Sequence, residues 1–127
     1  MAKEIIGGQI EVGGRKLPLS TAVRANGFLF LSGQLGTDAS FRLAGDDVAS
    51  QTRQALDNLE ALLEQGGCTL DDVVKVTAFI TDASLSADFN AAYAERFSSA
   101  PPARSTVVCG LLIPGAVVEI EAIAALP

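Results

Sequence analysis

The stretch PPARSTVVCGLLIPGAVVEIEA, residues 101–122, sets one arginine and two glutamates into apolar, strand-like runs. Charge inside an apolar sheet is costly unless it is paired or used. Arg104 follows Pro101-Pro102-Ala103, a rigid lead-in to a strand. Its guanidinium is planar and permanently charged, and it can grip a carboxylate through two parallel hydrogen bonds. A strand-edge arginine in solvent or in a structural salt bridge is the plainer reading, and the residues alone favour it. Glu119 and Glu121 share one strand face, opposite Val118, Ile120 and Ala122. That pattern also fits a solvated face. If the two runs pair as a hairpin about 113–115, one acid comes near the Arg104 strand. Ser32-Gly33-Gln34 closes an earlier strand, where glycine would let a backbone N–H approach a ligand. On residues alone it reads as a turn. Asn90 lies beside the Phe89/Tyr93 side of a helix and reads as a solvent-exposed amide.

The missing residue types narrow the chemistry. The chain has no histidine and no tryptophan. Without histidine there is no Ser-His-Asp triad, no Cys-His pair and no imidazole metal site. Cys68 and Cys109 lie far apart and make no zinc spacing. Cys109 falls in an apolar run and reads as a small buried residue. Cys68 follows Gly66-Gly67 at a helix end and reads as structural.

Nine basic and fifteen acidic residues give a net charge of −6. Only Arg15-Lys16 are adjacent among the basic ones, so no clustered basic face offers itself to nucleic acid. No apolar run reaches the roughly 18 residues of a membrane span. MAKEIIGG lacks the apolar core and cleavage site of a secretory signal. Two cysteines in such a chain read as reduced, and the expected location is cytoplasmic.

The elements must position these residues within 127 residues, a single domain covering 1–127. KEIIGGQIEVGG reads as a strand with glycine interruptions, then a turn. GFLFLSGQLG, 27–36, reads as a strand ending in Ser32-Gly33. ASFRLAGD is a short strand or a loop. In GDDVASQTRQALDNLEALLEQGG, Val48, Thr52, Leu56, Leu59, Leu62 and Leu63 fall on one helical face. Asp46 or Asp47 caps it and Gly66-Gly67 stops it, giving a helix over about 47–65. In DDVVKVTAFITD, Val74, Val76, Ala78 and Ile80 alternate with Lys75, Thr77, Phe79 and Thr81, as in a strand. SLSADFNAAYAERF repeats Leu85, Phe89, Tyr93 and Phe97 every four residues, and Pro101-Pro102 end that second helix. Strands over 104–112 and 116–125 follow.

The order β, β, (β), α, β, α, β, β predicts an α+β domain with two amphipathic helices on one face of a mixed sheet. The other sheet face also carries apolar residues, and no further element covers it. With 49% of the chain hydrophobic, a second copy of the chain is the natural cover.

Five blocks, RANGFLFLSGQLG, QTRQALDNLEALLEQGGCTLDDVVKVTAFITD, FNAAYAERF, PPARSTVVCG and PGAVVEIEAIA, resemble the RidA/YjgF family of reactive intermediate deaminases. They come in the family's order from about residue 18 onward. The resemblance implies a chorismate-mutase-like fold, in which three subunits pack their sheets into a central barrel with a cleft between neighbours. It implies that Arg104 binds a substrate carboxylate and that Glu119 orients a water. It also implies that Ser32, Gly33, Asn90 and Thr106 line the cleft. In place of the family's GPYSQAV-like segment stands KLPLSTAV, residues 16–23. Leu19 falls where the pocket tyrosine would be and Thr21 where the glutamine would be, which makes the pocket more apolar.

The implied activity is hydrolysis of 2-enamine and 2-imine acids to 2-keto acids and ammonia, by a homotrimer that needs no metal or cofactor. The alternative is a protein that binds or senses a small 2-keto carboxylic acid without turnover, a reading Leu19 favours. RNA cleavage, also attributed to some family members, is disfavoured by the acidic charge and the missing histidine.

Overall fold

A computed structural model of the chain describes residues 2–127. Six strands and two helices follow in the order β1 (Glu4–Val12), β2 (Arg15–Ala25), β3 (Phe28–Leu35), α1 (Val48–Gln65), β4 (Val73–Ile80), α2 (Ser86–Ala94), β5 (Ala103–Val108) and β6 (Val118–Ala125). The strands form one sheet in the order β1-β2-β3-β6-β4-β5. Only β4 and β5 pair in parallel. The α2 crossover permits that, since parallel neighbours need a long connection.

Turn chemistry sets the first three strands. Gly13 and Gly14 both take positive φ, 58° and 79°. They form a two-residue hairpin loop between Val12 and Arg15, which pair across it. Asn26 and Gly27 repeat the device, at 52° and 82°, between paired Ala25 and Phe28. The second strand thus occupies Arg15–Ala25, which the sequence pattern leaves as a turn and an unassigned segment. Pro18 and the polar Ser20 and Thr21 blur its alternation, whereas Asn26-Gly27 was the legible signal.

α1 has the expected face. Val48, Thr52, Leu56, Leu59, Leu62 and Leu63 are all buried, with Gln51 and Ala55. Asp47 caps the helix by accepting a hydrogen bond from the Ser50 backbone N–H. Gly67, at φ 84°, lets the chain leave the helix at its far end. Cys68 is buried in the core cluster as a structural residue, and burial pushes its thiol pKa up.

Directly paired residues share a sheet face, and successive residues alternate. Leu29, Leu31, Val76, Ala78, Ile80, Val118, Ile120, Ala122 and Ala124 form the buried face under the helices. The opposite face carries Phe28, Phe30, Phe79, Val107 and Ile123. Phe28, Phe30 and Val107 are 41%, 43% and 43% exposed, so the face without helices presents exposed apolar residues, beside the polar Lys75, Thr77, Glu119 and Glu121, and is uncovered in the single chain.

Of the two readings of ASFRLAGD the loop holds, since residues 38–43 carry one isolated bridge, Thr37 to Leu43, and no further strand. Two expectations need correction. α2 ends at Ala94, although Phe97 still stacks on Tyr93 at 4.8 Å between ring centroids. The last two strands are Ala103–Val108 and Val118–Ala125, and they do not pair as a hairpin. β4 lies between them. The 109–117 segment passes over the end of β4, where Cys109 N–H donates to Ile80 O and Thr81 N–H to Val117 O. The fully buried Gln51 pins the segment, donating to Gly45 O and Gly115 O and accepting from Val117 N–H.

Candidate functional site

The candidate residues fall into two groups on opposite faces of the sheet. Arg104 pairs with the buried Val76 of β4, so its side chain rises on the helix side. There its Nη2 donates to Asn90 Oδ1 at 2.7 Å. Its Cζ lies 4.7 Å from the Tyr93 ring centroid and 5.3 Å from that of Phe89. Among the described residues no carboxylate pairs with it, whereas Arg24, Arg42, Arg53 and Arg96 each have an acidic partner. Thr106 pairs with Ala78 and so shares the Arg104 face. Asn90 is exposed, but its carbonyl is engaged by Arg104, which the sequence pattern did not foresee.

Glu119 pairs with Phe79 and with Leu35, and its side chain lies on the uncovered face. Gly33 sits directly beside it, where a Cβ would come within 2.9 Å of Glu119 Cδ. The pairing of β3 with β6 shifts register between Leu31 and Gln34. Ser32 and Gly33 are therefore a bulge inside the strand rather than its end. Such a bulge re-aims side chains locally, and here it opens the space that the Glu119 carboxylate fills. Burial pushes the Glu119 carboxyl above the usual glutamate range, and the charge of Glu121 pushes the same way. Gly33, Phe79, Cys109, Gly110, Leu111, Leu112, Glu119 and Glu121 line a hollow of ≈ 220 Å³.

Cys109 is exposed, against the expectation of a small buried residue. β5 ends at Val108, so Cys109 belongs to the connecting segment and not to a covered strand. Glu121 is exposed, as expected for a solvated face, yet it stands next to Glu119 across one intervening residue.

Leu19 is 38% exposed and lines a second hollow, of ≈ 470 Å³, with Lys3, Gln9, Pro18, Ser20, Val23 and Ser32. Ser32 Oγ donates to Ser20 O at 2.6 Å, which ties the bulge to the strand carrying Leu19. Val23 pairs with Phe30 and Phe30 with Ile123, so this hollow opens on the Glu119 face.

Within one chain, then, Leu19, Ser32, Gly33 and Glu119 gather on one face, and Arg104, Thr106 and Asn90 on the other. Arg104 and Glu119 are three residues apart along β4, about 10 Å, and separated by the sheet. The residues that sequence reading missed are Phe89 and Tyr93 as a shelf under Arg104. Their four-residue spacing marks a packed helix face, and nothing in that spacing says that a charge lies across its edge.

This is an α+β domain with a six-stranded mixed sheet, two helices on one face and an unpaired arginine at the sheet edge. A family model described as Endoribonuclease L-PSP matches residues 15–126. A RutC family protein of Pyrococcus horikoshii is 42% identical over 108 residues, covering 84% of this chain and 86% of that protein. Protein HMF1 of Saccharomyces cerevisiae is 39% identical over 106 residues, covering 84% and 82%. The crystal structure of a Rid family protein, YyfA of Yersinia pestis, superposes with a TM-score of 0.87 at 41% identity, over 98% of this chain and 100% of that one. The chain belongs to the RidA/YjgF family and has its chorismate-mutase-like fold. Among the described residues no helix is long and apolar enough to cross a membrane.

Proposed function

We propose that the protein hydrolyses 2-imino and 2-enamine carboxylic acids to 2-keto acids and ammonia, in clefts completed by neighbouring copies of the chain in a homotrimer. The observation that carries this reading is Arg104, a guanidinium held by Asn90 and two rings with no carboxylate of its own. Four of the other five arginines have an acidic partner, and the fifth, Arg15, is an exposed residue beside a hairpin turn. Arg104 is poised to take a carboxylate from a ligand, by a two-point grip.

Glu119 supplies the complementary group. Ionised, it takes a proton from water as the oxygen attacks the imine carbon. Glu119 passes that proton to the imine nitrogen, so the tetrahedral adduct carries a hydroxyl and an amine on one carbon and Glu119 is ionised again. Glu119 then takes the hydroxyl proton and delivers it to the amine as the carbonyl forms and the C–N bond breaks, releasing ammonia. The sum is imine plus water giving ketone plus ammonia. A carboxyl with a raised pKa suits both steps, because transfer is most effective when acid and base strengths are matched. An enamine enters the same route after protonation at carbon.

The two groups lie on opposite faces of one sheet, and the Glu119 face carries exposed apolar residues and is uncovered. Both facts favour a cleft in which one copy supplies Arg104, Asn90 and Thr106 and the next supplies Leu19, Ser32, Gly33 and Glu119. The description of the family model names an endoribonuclease. That activity finds little support in an acidic chain whose Arg24, Arg42, Arg53 and Arg96 are tied to carboxylates.

The test is ammonia release from imines generated in situ from several amino acids, with Arg104→Ala and Glu119→Gln in parallel. Acceleration by the parent and loss in both variants supports the reading. Tight binding of 2-oxobutanoate with no acceleration for any imine makes the protein a binding module instead.

A further inference from the structure

Arg104 sits on a strand that does little to hold it. β5 is the sheet edge, and it is exposed at all six residues. A free arginine side chain samples many rotamers, and freezing them when a ligand arrives weakens binding. What restrains it comes from α2. The guanidinium lies over Tyr93 and Phe89, at 4.7 Å and 5.3 Å from their centroids. A cation over aromatic faces is attracted by the ring quadrupole.

Stacking uses the flat face of the guanidinium and leaves its in-plane N–H groups available. Asn90 takes one hydrogen of Nη2. The two hydrogens of Nη2 serve different edges of the planar fork, so one complete two-hydrogen edge remains for a carboxylate. The shelf itself is fixed. Tyr93 is 5% exposed and packs between Phe89 at 5.6 Å and Phe97 at 4.8 Å. Its Oη is buried with no hydrogen-bond partner among the described residues. A buried hydroxyl without a partner costs stability, so the ring face, not the hydroxyl, is what this position supplies.

We infer that Tyr93 is a positioning residue, whose ring, backed by Phe89 and Phe97, fixes the plane of the Arg104 guanidinium so that one edge meets the substrate carboxylate ready-made. The inference rests on the reading of Arg104 as the carboxylate anchor and deepens it.

Calorimetric titration of 2-oxobutanoate into the full-length protein tests both claims separately. The variants are Arg104→Ala, Tyr93→Phe, Tyr93→Leu and the Arg104→Ala/Tyr93→Leu pair, with melting curves for each. Tyr93→Leu should weaken binding by about 3- to 30-fold. Tyr93→Phe keeps the ring and should hold the affinity within about 2-fold, while melting at or above the parent temperature. In the Arg104→Ala background, Tyr93→Leu should cause no further loss. An equal loss with and without Arg104, or equal losses for Tyr93→Phe and Tyr93→Leu, would overturn the positioning role. If Arg104→Ala itself binds like the parent, the anchor reading falls, and that result is distinct.

A second readout holds even if Tyr93→Leu does not fold. The chain has one tyrosine and no tryptophan, so its tyrosine emission reports Tyr93 alone. Titrating 2-oxobutanoate should change that emission in the parent and leave it unchanged in Arg104→Ala. A parent that binds by calorimetry with constant emission speaks against the shelf.

Discussion

Arg104 and Glu119 project from opposite faces of the same sheet, Arg104 level with Val76 and Glu119 level with Phe79 on the strand between them. No side-chain rotation brings two groups together through a sheet. If they serve one reaction, they serve it from different copies of the chain. Mixed oligomers test this directly. Arg104→Ala and Glu119→Gln should each be nearly inactive alone. Unfolded together in equal amounts and refolded, they should regain roughly a quarter of the parental activity, since half of the Arg104 donors and half of the Glu119 donors remain intact and meet at random. A mixture as inactive as its components would place both groups within one chain's site or outside the reaction altogether.

Gly33 offers a separation of stability from activity. Its φ is not in the left-handed region, so alanine fits the backbone there. The atoms nearest to the added methyl all belong to the Glu119 side chain, whose flexible end can move aside. We expect Gly33→Ala to change unfolding free energy by less than about 1 kcal/mol. Displacing the carboxylate by even a fraction of its reach should lower kcat by about 10- to 100-fold. Denaturant unfolding alongside steady-state kinetics checks both. A variant of normal activity would show that Glu119 need not stay where it is found.

How much of this could be read before the fold was known depends on the kind of signal. The α1 face, from Val48 to Leu63, was legible because its burial follows a simple helical period. The uncovered sheet face was legible by arithmetic, since two helices cover only one side. The pairing of β5 with β4 was not. Apolar runs flanking Pro114-Gly115 look like a hairpin, and nothing local says that a strand formed thirty residues earlier lies between them. Arg104 and Glu119 were identified as the charges to explain, but their faces depend on that long-range pairing. Cys109 was misread for the same reason, because the end of β5 is set by where β4 ends. The role of Asn90 was hidden too, as an exposed amide on a helix carries no mark of the arginine that reaches it.

The acid pair on β6 predicts a pH dependence. Glu119 must be ionised to accept a proton from water, so activity should fall as pH drops through its folded pKa. Burial raises that pKa first and Glu121 raises it further, so the acid limb should lie above the ordinary glutamate range. Glu121→Gln removes the second cause. The limb should then move to lower pH, with the plateau rate changed far less than its position. The kcat profile from pH 4 to 8 measures this. A limb that stays put in Glu121→Gln means that the two carboxylates do not interact in the assembled cleft.

Leu19 concerns which substrate is used. Its side chain lines the hollow shared with Val23 and Ser32, on the same face as Glu119, and it offers that space methyl groups where the family resemblance places a phenol. An apolar wall gains from each substrate methylene it covers, at about 1–3 kcal/mol. The parent should therefore prefer imines derived from leucine or 2-aminobutyrate over the alanine-derived imine, in kcat/KM. Leu19→Tyr fills the hollow and adds a hydroxyl, so the ratio of leucine- to alanine-derived turnover should drop by at least about tenfold. Arg104 is untouched by the change, so the affinity for the carboxylate of the smallest keto acid should hold. Competition between two imines in one reaction gives the ratio free of enzyme-concentration error. Coincident profiles for parent and variant would remove Leu19 from the pocket and leave the Ser32 bulge, with Phe79 beyond it, as the wall that selects the side chain.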